Sequence, residues 1–274
     1  MRISKRSLAR AGLLALCILL TSPTVQAADL YFKAEYGISS GIGTTDGADP
    51  LGSVGEDSDD ASPVVGTALG LAVPLYELFP WSMRLPKVHI PIWPGKALTM
   101  GGDEDWSFPD WDMRFELAYG GLREYEFKTD AVDDYFTSAK AHSFMLSTRL
   151  DIPIQAPINA LFGRLPILDP LTLHGGGGAG IALTDVATAV NNSRARADGI
   201  NFAYQAEVGL GYALSESLHL SLGWRYLNMG VSEADLISSV GIQVGNFDVE
   251  MAAHEFTTGL EYRFWRIPLF EDRD

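Results

Sequence analysis

A chain of 274 residues with 35 acidic and 20 basic side chains carries a formal charge of −15, which argues against nucleic acid as a partner. Its one cysteine, Cys17, excludes a disulfide scaffold, and no stretch approaches the ~20 continuous apolar residues of a membrane helix.

Residues 1–27 read as a bacterial export signal. Arg2, Lys5, Arg6 and Arg10 form a basic n-region, Ala11–Leu20 a short apolar h-region, and Val25-Gln26-Ala27 a small-residue cleavage point. Leu16 stands before Cys17 where a lipoprotein box wants a small residue, so lipidation is not expected. Without this leader, 247 residues remain with 16 basic and 35 acidic groups, a net charge of about −19. Exported, acidic and free of helical spans, such a chain is either a periplasmic protein or an outer-membrane barrel.

The first periodic stretch sets Leu30, Phe32, Ala34, Tyr36 and Ile38 against Tyr31, Lys33, Glu35 and Gly37. Side chains of a strand alternate between faces, so this is an amphipathic strand. Gly41–Pro63, rich in Gly, Asp and Ser, reads as an exposed loop. Val65, Thr67, Leu69, Leu71 and Val73 form the second strand. Residues 76–111 hold Pro80, Pro86, Pro91, Pro94 and Pro109 with Trp81, Trp93, Trp106 and Trp111. That proline density forbids long helices and central strands, and predicts an irregular insert.

Met113, Phe115, Leu117 and Tyr119 resume the alternation, and Gly120-Gly121 marks a bulge after which the phase is lost through Phe127. Lys128–Lys140 reads as a polar loop, Phe144–Ile152 as a strand, and Pro153–Pro170 as a proline-punctuated connection. Leu171–Leu183 follows around Gly175–Gly178, then a polar loop over Thr184–Ile200. Phe202–Tyr212 and Leu218–Tyr226 flank a tight turn at Ser215–Ser217. Ser232–Val249 is the last predicted loop, and Phe256, Thr258, Leu260, Tyr262 and Phe264 form the apolar face of the last strand.

Eight amphipathic strands of about 11–15 residues suffice for tilted crossings that need about 9–11. The fold class expected is all-β: an eight-stranded antiparallel up-and-down transmembrane barrel over residues 28–264, with the insert at 76–111 and a tail at 265–274. A soluble, lipocalin-like barrel is the rival. The face opposite the aromatics decides between them, because it carries Lys33, Glu35, Arg114, Glu116, Arg149, Asp151, Glu207, Arg225, Glu261 and Arg263. Five bases and five acids inside a narrow lumen can pair, whereas unpaired charges there would be costly. The interior is expected to be a salt-bridged plug with the aromatics facing lipid.

Leu171–Ala182, Tyr204–Tyr212, Leu220–Tyr226 and Gly259–Phe264 resemble segments of the OmpA-like, opacity-type family of eight-stranded outer-membrane barrels. The resemblance implies location in the Gram-negative outer membrane. It also implies contact with outer-membrane lipids and lipopolysaccharide, and recognition of the last strand by the barrel-assembly machinery through Phe264. It names no external ligand. The expected role is structural or surface-interacting without catalysis, with a small porin-like solute channel as the alternative.

A further alternative is a lipid A-modifying hydrolase using His219 and Ser221, since His219-Leu220-Ser221 resembles the His-x-Ser of lipid A deacylases. A serine nucleophile needs such a base, oriented by an acid such as Glu207 or Glu261. Alternation puts both residues on the lumen face, away from lipid. The acidic run Glu56–Asp60 lacks the spacing of a calcium loop, and Gly175–Gly178 lacks the lysine of a phosphate cradle. His89, His142, His174 and His254 are too scattered for a metal site. No catalytic, cofactor-binding or metal residue and no cofactor is expected.

Overall fold

The computed structural model describes residues 27–47, 52–57, 61–75, 88–93, 96–100, 111–128, 135–155, 166–190 and 193–268. The expected leader, apart from Ala27, lies outside the described residues. So do Ser58–Asp60 of the acidic run and much of the 76–111 insert.

The chain forms β1 (Ala27–Gly47), β2 (Gly52–Asp57), β3 (Ser62–Pro74), β4 (Val88–Trp93), β5 (Lys96–Met100), β6 (Asp112–Lys128), β7 (Tyr135–Pro153), β8 (Leu171–Val190), β9 (Ser193–Ala213), β10 (Leu218–Ser238) and β11 (Gln243–Pro268). β1, β3, β6, β7, β8, β9, β10 and β11 pair antiparallel in sequence order, and β11 closes on β1 from Ala27↔Pro268 to Gly47↔Phe247. Eight staves therefore close one up-and-down barrel. β2 pairs with β1 beyond β3, so the two together make a single stave. β4 and β5 form a separate hairpin within the insert.

Closure leaves alternate side chains inside and outside along every stave. The outer face carries Phe32, Tyr36, Leu69, Leu117, Phe144, Phe202, Leu222, Phe256 and Tyr262, all exposed. The inner face carries the charged residues expected there.

The staves are longer than their apolar belts. Much of the predicted loops at 41–63, 128–140, 184–200 and 232–249 is strand, and Ser238 and Gln243 are joined by a short turn. The reason is visible at β8, where Thr184, Val186 and Thr188 continue the buried face while Asp185 and Ala187 continue the outer one. Beyond the belt the outer face meets water, so polarity there marks an emergent strand and not a loop. The last strand likewise runs past Phe264. Leu30 pairs with Trp265 and Tyr31 with Arg263, so a bulge at Phe264 breaks the alternation before the strand ends at Pro268. The predicted tail thus begins four residues inside β11, and residues 269–274 lie outside the described residues.

At the end distant from the termini, the ring divides. The β3–β6 ladder stops at Gly66↔Gly120. The β9–β10 ladder lapses between Tyr204↔Asn228 and Arg194↔Ile237. Above these points β6–β9 form one sheet and β10, β11, β1 and β2 the other, each internally paired. Between them lies an apolar core of Tyr125, Phe127, Met145, Val186, Leu227, Met229, Phe247, Val249 and Met251, nearly all closed to solvent. A Cβ on Gly41 would stand 2.6 Å from the Tyr125 ring, and one on Gly43 would stand 2.9 Å from the Phe127 ring. Both glycines exist to let those aromatics cross the interior. The far half is a sandwich continuous with the barrel.

Candidate functional site: the ion-paired lumen

Below the apolar core, the lumen is occupied by one connected set of charges. Arg149 on β7 lies 3.4 Å from Glu116, 3.9 Å from Glu207, 3.2 Å from Asp151 and 3.5 Å from Glu261. Arg114 pairs with Asp151 at 2.5 Å and also with Glu261. Lys33 bridges to Glu35 and, at 4.0 Å, to Glu116. Arg225 reaches Glu35 at 2.7 Å, Glu207 at 3.6 Å and Glu255 at 3.5 Å. Tyr31 donates to Glu116 at 2.7 Å, with the Arg114 guanidinium 5.2 Å above its ring.

At the terminal mouth, Arg263 reaches Glu261 at 3.3 Å, Asp112 at 3.3 Å and Asp29 at 3.5 Å. At the opposite end of the network, Arg123 pairs with Glu255 and donates to the Gly121 carbonyl at 3.1 Å. These residues come from β1, β6, β7, β9, β10 and β11, so the pairs span the lumen instead of running along one wall.

All ten predicted inward charges are present in this network. The network also takes in Arg123, Glu255, Asp29 and Asp112, so the expected five bases and five acids become six and eight. Arg123 escaped because the bulge between Gly120 and Arg123 resets the phase of β6. Behind it Arg123, Tyr125 and Phe127 face inward while Leu122, Glu124 and Glu126 face out. Glu255 and Asp112 fall in phase with the charged faces of β11 and β6, and that alternation is the signal in the sequence that could have found them.

The network holds itself by Coulomb attraction more than by saturated hydrogen bonding. Arg114 Nε, Arg149 Nη1, Arg225 Nε and Glu207 Oε1 are buried without a hydrogen-bond partner among the described residues. Burying ions is expensive, and mutual attraction offsets the cost only where several opposite charges converge, as around Arg149 and Glu261.

His219 and Ser221 both face the lumen. His219 Nδ1 stands 4.0 Å from Glu261 and has no hydrogen bond to any described residue, while Ser221 Oγ lies against Gly259 across the β10–β11 pair. Among the described residues no hydrogen bond joins the two, so the base–nucleophile contact is not formed. The His89 side chain lies outside the described residues, and the other three histidines occupy different places. His174 is inside, His142 bonds Tyr119 Oη at 2.9 Å on the outer face, and His254 stacks on Trp224 at 5.4 Å. Among the described residues no group of histidine, cysteine or carboxylate side chains could hold a metal ion.

A closed antiparallel barrel with an apolar, aromatic outer belt and its charges inside is a transmembrane β-barrel. No described helix is long and apolar enough to cross a membrane, and strands do the crossing. The chain belongs to the outer membrane protein beta-barrel domain family, whose model matches residues 13–264. Membership implies the Gram-negative outer membrane as its location.

Among solved structures, the chain is similar to Neisserial surface protein A at 14% identity, covering 87% of this chain and 99% of that one with a TM-score of 0.38. It is also similar to the outer membrane protease OmpT of Escherichia coli, at 9% identity, 89% and 100% coverage and a TM-score of 0.47. A third is Ail, the attachment invasion locus protein of Yersinia pestis, at 9% identity, 85% and 99% coverage and a TM-score of 0.33. No curated protein matches the chain.

Proposed function

We propose that this barrel neither conducts nor catalyses, and that it serves to hold the sandwich of its far half at the cell surface as a structural or interaction element. The observation that carries the reading is the filled lumen. A solute channel needs a continuous water path, yet the near half of the barrel is crossed by the Arg149-centred ion pairs and the far half by the Met229–Phe247 core. A lipid A hydrolase would have to present His219 and Ser221 to lipid, whereas both face the charged interior. Outer-membrane lipids and lipopolysaccharide are the partners that suit the apolar belt. The β11 end, with Phe264 and Trp265 exposed, suits the barrel-assembly machinery.

In this reading the turn between β10 and β11 lies outside the cell and the turn between β9 and β10 lies in the periplasm. The sequence has one cysteine, Cys17, within the expected leader, so an introduced thiol reports alone. Val240→Cys, in the first turn, is expected to react with a membrane-impermeant maleimide on intact cells. Glu216→Cys, in the second, is expected to react only after the outer membrane is permeabilised. Labelling in the reverse order would refute the orientation, and labelling of neither in permeabilised cells would refute the exposed turns.

A further inference from the structure

The insert between β3 and β6 leaves and re-enters the barrel at the end that carries the termini. Pro74 pairs with Asp112, and the Leu75 N–H donates to the Trp111 carbonyl at 2.7 Å. Within the insert, and among the described residues, β4 and β5 pair only with each other. A lone two-stranded hairpin is marginal in water at best, so this one needs a surface to lie against.

Its register is amphipathic. Val88 pairs with Met100, Ile90 with Leu98 and Trp93 with Lys96, while His89 pairs with Thr99 and Pro91 with Ala97. Paired residues share a face of the sheet, and successive residues alternate. One face therefore gathers Val88, Ile90, Leu98 and Met100, with Trp93 and Lys96 at its turn end. The other gathers His89, Pro91, Ala97 and Thr99. Ile92 is the extra residue of a bulge, which keeps Trp93 on the first face.

Charge sets this stretch apart from the rest of an acidic chain. The five acids of residues 76–111 are Glu77, Asp103, Glu104, Asp105 and Asp110, all outside the hairpin. The 25 residues from 78 to 102 hold no acid, so the hairpin has no carboxylate to desolvate where it meets an apolar surface.

Two surfaces border the root of the insert. The lumen mouth is charged, with Arg263 among Glu261, Asp112 and Asp29, and Arg266 on Asp29 at 2.9 Å. It does not match an apolar face. The outer wall does, and its apolar surface continues to the chain connections of this end. Ile167 between β7 and β8, Leu214 after β9 and Trp265 near the end of β11 are each more than half exposed. Open strand edges are not tolerated in the hydrocarbon layer, which keeps a two-stranded sheet at the level of the headgroups. Tryptophan and lysine are favoured as anchors at that level.

We infer that the β4–β5 hairpin is an in-plane membrane anchor, its Val88, Ile90, Leu98 and Met100 face laid on the lipid surface around this end of the barrel. The partner is the bilayer interface, continuous with the belt of the staves. The anchor does not depend on whether the lumen conducts.

The test uses the folded full chain with Cys17→Ser in phosphatidylcholine vesicles, with and without phosphatidylcholine carrying a nitroxide high on its acyl chain. Leu98→Cys and Thr99→Cys, adjacent residues on opposite faces, are each labelled with a polarity-sensitive fluorophore. The label at 98 is expected to emit at the shorter wavelength and to lose most of its emission to the nitroxide lipid, while the label at 99 loses little. Adding Ile90→Glu puts a carboxylate on the lipid face. It should bring the label at 98 to the wavelength and quenching of the label at 99, with heat-modifiable migration of the barrel unchanged. Equal quenching of the two labels would overturn the inference. So would an unquenched label at 98, the result if that face lies on the mouth or on a second copy of the chain, or full quenching retained with Ile90→Glu.

Discussion

Glu255 of β11 accepts from both Nε and Nη2 of Arg123 on β6, across the barrel interior, and neither side chain is reached by solvent. The pair sits at the boundary between the ion network and the apolar core, where Arg225 also reaches Glu255 at 3.5 Å and Ser39 Oγ donates to it at 3.2 Å. Among the described residues, removing Glu255 leaves Arg123 buried with only the Gly121 carbonyl and Ser143 Oγ, and removing Arg123 leaves Glu255 buried with only the longer Arg225 pair and Ser39. Arg123→Met or Glu255→Gln alone should therefore destabilise the barrel by about 3–5 kcal/mol. The double variant should lose less than the sum, because the orphaned charge disappears with its partner. Urea unfolding in detergent, read by gel migration, checks this; additive losses would contradict the pairing.

The sandwich core makes a separate prediction. Gly41 faces the Tyr125 ring so closely that even one methyl group overpacks the site. Gly41→Ala should cost about 1–3 kcal/mol, and adding Tyr125→Leu should recover part of the loss. Strict additivity in the same unfolding series would show that the two sheets do not pack as described.

Between β10 and β11, Asn228 pairs with Ala252 and Gly230 with Met251, leaving Met229 as an extra residue, and two glycines with positive φ allow the strain of this β10 bulge to be isolated. Gly230 (φ +78°) and Gly241 (φ +81°) share the left-handed conformation, but a Cβ at Gly241 meets nothing within 4 Å. Gly241→Ala should cost only the backbone term of about 1–2 kcal/mol. Gly230→Ala should cost more, through the added contact with the Phe202 carbonyl, and should increase amide exchange in residues 195–203. Equal losses at the two positions would mean that the bulge is free to relax.

Much of the fold was legible in the sequence because a barrel writes its geometry as alternation. Wherever one face meets lipid and the other the lumen, as at Phe256–Phe264 against Glu255–Arg263, contrast between neighbours is high and the strand is plain. Legibility failed in two physical circumstances. Where the outer face leaves the lipid, as at Asp185 or Glu233, both faces become polar or small and strand resembles loop. Where a bulge inserts a residue, as at Gly120–Gly121, Met229 and Phe264, the phase flips. That hid Arg123, the emergent sandwich and the last turn of β11. The ion network was readable as composition, ten inward charges of both signs, but its partners were not. Which arginine meets which carboxylate depends on stagger between strands distant in sequence, such as Arg114 with Glu261 or Arg225 with Glu35.

The lumen is closed twice, by the Arg149-centred ion pairs and by the core around Met229. Planar-bilayer recording with heat-modifiable, folded protein at single-insertion density addresses this most directly. Current should remain at the bare-membrane baseline at both polarities, while insertion is verified separately by protease protection of the membrane-embedded staves. Discrete, reproducible unitary steps carried by the folded species, and lost when it is heat-denatured, would contradict the closed lumen.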